Sequence, residues 1–157
     1  MNKIIKADEV TSLVSGLKNS GKKIVLAGGC FDILHLGHVA FLENAKKTGD
    51  VLILLLESDE AIKKLKGDKR PVNSQDSRAK ILSAIEFVDF VIILKKPLKT
   101  HDYNILVKDI SPDVIAVTEG DPNFENKKTQ ARESGGVVKV VLEKLHEHST
   151  TKLVEFV

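Results

Sequence analysis

The sequence predicts a doubly wound α/β fold, a Rossmann-like parallel sheet of about five strands with helices on both faces. Three observations carry that prediction. Short apolar runs alternate with segments of helical periodicity along the chain. One run, Val51–Leu56, is six apolar residues in succession, the pattern of a strand buried on both faces of a parallel sheet. The first run, Ile24–Ala27, feeds a glycine-bearing turn, Gly29-Cys30-Phe31-Asp32-Ile33-Leu34-His35-Leu36-Gly37-His38, and then an amphipathic segment, Val39–Lys47. Strand, glycine turn and helix start, in that order, form the corner of an open α/β sheet where backbone N–H groups and the helix dipole favour anions.

The elements follow in order. Ala7–Lys18 spaces Val10, Leu13, Val14 and Leu17 as a helix does, and Asn19-Ser20-Gly21 stops it. A strand is expected at Lys23–Ala27. The helix after the glycine turn aligns Val39, Leu42 and Ala45, with Lys46 and Lys47 in a last turn near Gly49. After the Val51–Leu56 strand, Glu57–Leu65 reads as a short helix and Lys66–Pro71 as a basic loop. Asn73 or Ser74 can cap a helix running to Val88, with Ile81, Leu82 and Ile85 inward. Phe90–Leu94 and Val114–Val117 are strands around a helix at Tyr103–Asp109. The polar loop Thr118–Asn123, a helix at Glu125–Ser134, the break Gly135-Gly136 and a strand at Val137–Leu142 complete the alternation. Ser149 caps a terminal helix that reaches Val157. One domain spans residues 1–157, with no internal repeat or linker.

Composition narrows the function. With 42% hydrophobic and 29% charged residues, the chain is globular rather than disordered. A net charge of +2 with interspersed signs, 4% aromatics and no Trp argue against a nucleic-acid partner. No apolar run approaches the roughly 18 residues that span a membrane, and the first residues lack a signal peptide's apolar stretch. The single cysteine, Cys30, excludes a disulfide framework and a cysteine metal cluster. His146 and His148, two apart, suit opposite strand faces rather than a shared zinc ion. No metal site is expected, and a cytoplasmic protein is the simplest reading. G-x-x-x-x-G-K-[ST], G-x-G-x-x-G and G-x-S-x-G are all absent, which removes P-loop kinases, dinucleotide dehydrogenases and nucleophile-elbow hydrolases.

Four polar stretches fall at the carboxyl edge of this sheet, where the ligand crevice of such folds lies. They are the His35/His38 turn, the Lys66–Arg70 loop, the Thr118–Asp121 loop and Ser149-Thr150-Thr151. His35 and His38, three apart on a helical turn, present both rings to one side. Pro71 stiffens the loop that aims Arg70. A histidine alone more often caps a helix or satisfies a carbonyl, and a lysine alone is more often solvated. Their convergence on one edge indicates a polyphosphate site.

The run G-C-F-D-I-L-H-L-G-H resembles the G-x-F-D-x-x-H-x-G-H signature of the cytidylyltransferase-like nucleotidyltransferases. Leu65–Val72, Arg78, Val88-Asp89, Pro112-Asp113, Gly120-Asp121 and Ser149-Thr150-Thr151 follow in that family's order. Within the family the sequence is most similar to the domain that adenylylates heptose 1-phosphate, and less so to glycerol-3-phosphate cytidylyltransferase and archaeal-type FAD synthetase. The resemblance implies transfer of a nucleotidyl group, AMP from ATP favoured, to the phosphate of a small phosphorylated sugar or polyol. It implies Mg²⁺ carried by the triphosphate, and a homodimer. It assigns His35, His38, Lys66 and Arg70 to catalysis. Gly29, Cys30, Phe31, Asp32, Gly37, Arg78, Gly120, Asp121, Ser149, Thr150 and Thr151 are assigned to the nucleotide. The alternatives are a glycerol-3-phosphate cytidylyltransferase or FAD synthetase-like enzyme, or a nucleotide-binding relative without turnover, and an aminoacyl-adenylate synthetase fragment shares only the histidine signature.

Two departures bear on the acceptor. Thr118-Glu119-Gly120-Asp121 stands where the heptose-phosphate relatives read K-G-G-D, and Glu57-Ser58-Asp59 where they read N-S-D. Glu57, Thr118 and Glu119 are therefore expected at the acceptor. If both carboxylates face inward, the site has lost a cation and gained two anions, and the expected acceptor is not heptose 1-phosphate.

Overall fold

In the computed structural model, which describes residues 2–143, six strands form one sheet, all parallel, in the order β1-β4-β3-β2-β5-β6. The strands are β1 (Ile4–Ile5), β2 (Ile24–Gly29), β3 (Val51–Leu56), β4 (Phe90–Ile93), β5 (Val114–Thr118) and β6 (Val137–Leu142). The helices are α1 (Val10–Asn19), α2 (Leu36–Lys46), α3 (Asp59–Lys66), α4 (Gln75–Ser83), α5 (Thr100–Ile110) and α6 (Phe124–Glu133). The strand beyond the expected five is β1, too short to carry a period of its own. The helix expected to reach Val88 stops at Ser83, and Ile81 on it faces solvent while Ala79 and Leu82 are buried. The expected terminal helix lies outside the described residues.

The two-residue period of the strands sorts the core into two layers. Val51, Ile53 and Leu55 of β3 join Ile24, Leu26, Ile92, Ile115 and Val117 on the face covered by α1, α5 and α6. Leu52, Leu54 and Leu56 join Val25, Ala27, Val91 and Ala116 on the face covered by α2 and α4. Both layers are apolar, which is why β3 reads as an unbroken apolar run.

Three aspartates tie the opposite, amino edge together. Asp50 Oδ2 accepts from the Lys23 amide at 2.8 Å, Asp113 Oδ2 from Ile24 at 2.7 Å and Asp89 Oδ2 from Leu52 at 2.7 Å, with Lys46 Nζ 2.6 Å from the same Asp89 oxygen. Each carboxylate satisfies a backbone N–H at the start of a strand. Asp89 and Asp113, two positions of the family-like pattern, therefore hold the scaffold on the side away from the crevice. Gly136 belongs to the same edge: a Cβ there would stand 2.2 Å from the Pro112 carbonyl oxygen, so only glycine lets the chain enter β6.

Strand order reverses beside β2. From it the chain winds through β3 and β4 to one side, then returns to place β5 and β6 on the other. The crevice of such a sheet opens at that reversal, outside the carboxyl ends of β2 and β5.

Candidate active site

The turn after β2 is built on a strained residue. Phe31 is 5% exposed and holds φ at +45°, a left-handed conformation that costs a non-glycine residue about 1–2 kcal/mol. The strain places its ring under the turn. A Cβ on Gly29 would stand only 3.0 Å from that ring, so the glycine is what lets Phe31 lie there. Phe31 in turn supports His38, ring centroids 5.5 Å apart.

His35 is the N-cap of α2. Its Nδ1 accepts from the Gly37 amide at 3.1 Å, while its backbone carbonyl accepts from His38 and Val39. That bond assigns the Nε2–H tautomer to His35, with Nε2 as the donor nitrogen. The capping role read for a lone histidine and the paired-ligand role thus coexist on different ring nitrogens. The Gly37 N–H is engaged by the cap, so Gly37 contributes to the turn rather than a free amide. The His35 and His38 rings lie 4.0 Å apart at their centroids, tilted by 33°. His38 Nδ1 is buried and has no hydrogen-bond partner among the described residues. A buried imidazole nitrogen without a partner fits a ligand oxygen.

Burial, then the neighbouring His35 and the Lys66 ammonium, push the pKa of His38 from 6.5 down to about 4. The ring is neutral at pH 7. In the unfolded chain it takes a proton near pH 6.5, in the folded chain only near pH 4. Stability tied to the neutral ring is therefore full above pH 6.5 and is lost as pH falls through 4. At roughly 1.4 kcal/mol per pH unit, the loss is on the order of 3 kcal/mol. Urea unfolding at stepped pH should show that loss in the wild type and a shallower one in His38→Ala. Equal slopes would remove the assignment.

Around the histidines lies a crevice of about 490 Å³, lined also by Gly29, Cys30, Phe31, Asp32, Gly37, Lys66, Thr118 and Asp121. Lys66 ends α3, and Gly67 with φ of +93° turns the chain away from it. Asp121 reaches the crevice from the β5–α6 loop, shaped by Gly120 at φ of +74°, and its Oδ2 lies 2.6 Å from Lys127 Nζ. Gly120 itself is exposed and lines neither crevice nor neighbouring cavity.

Two arginines stand elsewhere than a phosphate-facing reading places them. Arg70 is 7% exposed, and its Nε donates to Asp32 Oδ2 at 2.6 Å. The same carboxylate accepts from the amides of Val72 at 2.9 Å and Asn73 at 3.0 Å. Burial alone would raise the Asp32 pKa, but those amides and Arg70 outweigh it and hold the carboxyl below its ordinary range. Asp32, which the resemblance assigns to the nucleotide, has both oxygens committed to the loop. Arg78 is 1% exposed and donates to the carbonyls of Cys30 at 2.6 Å, Glu57 at 2.9 Å and Asn73 at 3.1 Å, and to Asp59 at 2.7 Å. It fixes the ends of β2 and β3 relative to the loop, and reaches a ligand only through that backbone.

The acidic departures separate. Glu119 is exposed and lines neither crevice nor cavity, because its amide pairs with the Leu142 carbonyl and the chain turns at Gly120. Glu57 lines a second cavity, of about 440 Å³, on the other side of the β2 end, where its Oε1 accepts from the Tyr103 hydroxyl. Crevice and cavity share Gly28, Gly29, Cys30, Leu65 and Lys127. Tyr103 and Lys127 are the side chains that sequence reasoning missed. The one available signal was that Tyr103 is the chain's single tyrosine. Ser149, Thr150 and Thr151 lie outside the described residues.

The carboxyl edge of the parallel sheet thus presents a histidine-capped helix and a lysine to one crevice. The chain belongs to the Cytidylyltransferase-like family, which it matches over residues 26–156. It is 46% identical over 134 residues to the Bifunctional protein HldE of Aliarcobacter butzleri (strain RM4018), covering 85% of this chain and 27% of that one. It is 39% identical over 153 residues to the Bifunctional protein HldE of Wolinella succinogenes, covering 98% of this chain and 31% of that one. The chain thus spans under a third of the length of these relatives. Among solved structures, the lipopolysaccharide core biosynthesis protein from Thermoplasma volcanium GSS1 superposes with a TM-score of 0.63 at 28% identity, over 80% of this chain and 98% of that one. Pantothenate synthetase from Thermus thermophilus gives 0.63 at 14% identity, over 93% and 63%, a likeness of fold alone.

Proposed function

We propose that the chain transfers AMP from ATP to the phosphate of a small phosphorylated sugar or polyol. The observation that carries this reading is the pair of imidazoles, with ring centroids 4.0 Å apart at the start of α2, facing one crevice with Lys66. An oxygen of the acceptor phosphate attacks the α-phosphorus in line. The bond from that phosphorus to the bridging oxygen of the β-phosphate breaks, and pyrophosphate leaves with the electron pair. The acceptor is already ionised, so the reaction needs positioning and charge stabilisation rather than a strong base. His35 Nε2–H and the His38 ring supply donors to the α-phosphate oxygens, and Lys66 supplies a positive charge beside them.

Among the described residues, no group of three or more His, Cys, Asp and Glu side chains converges on a metal site. Imidazole and ammonium donors suit the anion rather than a bare cation, so Mg²⁺ fits this site as a passenger on the triphosphate oxygens. A homodimer belongs to the same reading. No helix among the described residues is long and apolar enough to cross a membrane. A cytoplasmic enzyme acting on small molecules is part of the same proposal.

Exclusion of heptose 1-phosphate rested on two inward carboxylates. With Glu119 exposed and only Glu57 in a cavity, heptose 1-phosphate returns to the acceptor panel. The test is pyrophosphate release from ATP or CTP with heptose 1-phosphate, glycerol 3-phosphate and glucose 1-phosphate, together with calorimetric titration of both nucleotides. Release that requires an acceptor and favours ATP is expected. Nucleotide binding without release from any pair would leave the non-catalytic alternative.

A further inference from the structure

The cavity beside the crevice carries polar chemistry of its own. Glu57 Oε1 accepts from the Tyr103 hydroxyl, and the Glu57 backbone is pinned on both sides: its N–H donates to the Gly29 carbonyl at 3.2 Å, its carbonyl accepts from Arg78. Burial, then the adjacent Glu57, raises the Tyr103 pKa far above neutrality, so the phenol remains a donor and holds the carboxylate in one place. Of the charged side chains near Glu57, Lys66 lines the crevice rather than this cavity. Lys127 pairs with Asp121 and Arg78 with Asp59, while Glu57 forms no ion pair among the described residues. The remaining polar lining is neutral: Thr100, Asn123, Asn126 and Gln130.

We infer that this cavity takes the polyhydroxylated body of the acceptor, with Glu57 accepting from its hydroxyls and excluding acceptors whose body carries a second carboxylate. The inference rests on the transferase reading above and deepens it. The shared wall of Gly29, Cys30 and Lys127 lets a phosphate at one end of such a molecule face the crevice while its hydroxyls remain in the cavity. A carboxylate has a second oxygen with which to accept from a diol, and amide side chains both donate and accept, so a neutral polyol leaves few of these groups unpaired. A carboxylated body would instead set like charges together in a partly desolvated space. Tyr103 is a positioning residue here, acting through Glu57.

The experiment compares matched acceptors, glucose 1-phosphate against glucuronate 1-phosphate and glycerol 3-phosphate against 3-phosphoglycerate, in wild type, Glu57→Gln and Tyr103→Phe. The carboxylated partner is also assayed as a competitive inhibitor of the neutral one. Wild type should prefer the neutral member of each pair. Glu57→Gln should lower kcat/KM for the neutral acceptor by roughly ten- to a hundredfold, the range for losing a charge-assisted hydrogen bond. It should also bring the two members of each pair close to parity and leave the KM for ATP unchanged. Tyr103→Phe should raise the acceptor KM while keeping the preference for the neutral member. A preference ratio unmoved by Glu57→Gln, or a change confined to the ATP KM, would overturn the inference with the transferase reading intact. Absence of pyrophosphate release by wild type with every acceptor would overturn the reading, and the inference with it.

Discussion

Replacing His38 with alanine is expected to lower turnover by about two to three orders of magnitude, the range for removing one preorganised donor from a developing charge, roughly 3–4 kcal/mol. The ring is built for that purpose at some structural cost. It rests on Phe31, itself held in a left-handed conformation, and it is kept uncharged by burial and by His35 and Lys66. A neutral ring already oriented need not reorganise when charge spreads over the α-phosphate oxygens. The loss should therefore appear in kcat, with ATP affinity changed much less. Circular dichroism should stay native, since His38 is half-buried rather than core. Turnover within tenfold of wild type would sink the mechanism, because it would show that the ring supplies no donor the reaction depends on.

The largest expected loss of stability belongs to Asp32→Ala. The Asp32 side chain is fully buried and Arg70 nearly so, with 2.6 Å between them. Removing the carboxylate strands a guanidinium whose Nη2 already lacks a partner among the described residues, and releases the amides of Val72 and Asn73. Breaking one side of a buried pair costs about 3–5 kcal/mol. For a chain of this size, where each kcal/mol moves the midpoint by about 2–4 °C, the melting temperature should fall on the order of 10 °C. Adding Arg70→Met should recover part of the loss, since the stranded charge is the main penalty. A melting temperature within about 2 °C of wild type for Asp32→Ala alone would show the pair to be inert. Activity should fall as well, because the loop that follows Lys66 is tied to the β2 turn through this pair.

Much of this arrangement is legible in the sequence. Burial on both faces cannot be hidden in a strand such as Val51–Leu56, and the histidines, Lys66, Thr118 and Asp121 sit within a few residues of strand or helix ends, so topology alone brings them to one edge. Arg70 and Arg78 are not legible in the same way. A sequence shows that an arginine carries a charge but not what faces it, and here Asp32, Asp59 and backbone carbonyls lie around the two side chains. Glu57 and Glu119 make the same point in opposite directions: both follow strands, yet one turns into a cavity and the other to solvent. Tyr103 and Lys127 reach the site from α5 and α6. Their orientation depends on how those helices pack on the sheet, which local spacing does not encode. β1 escapes the sequence because two residues carry no pattern.

That short strand has a consequence for solubility. β4 is the last long strand on its side of the sheet, and Phe90, Val91 and Ile92 are all buried. The pairing of Ile4 with Val91 and of Ile5 with Ile92 covers its open row of backbone groups, and Lys3 Nζ latches the cover to the carbonyls of Ile85 at 3.2 Å and Val88 at 2.7 Å. An uncovered apolar edge is a template on which a second chain can add a strand. A form shortened by its first six residues would keep every group of the crevice and still present that template, so its failure in solution would be aggregation rather than lost chemistry.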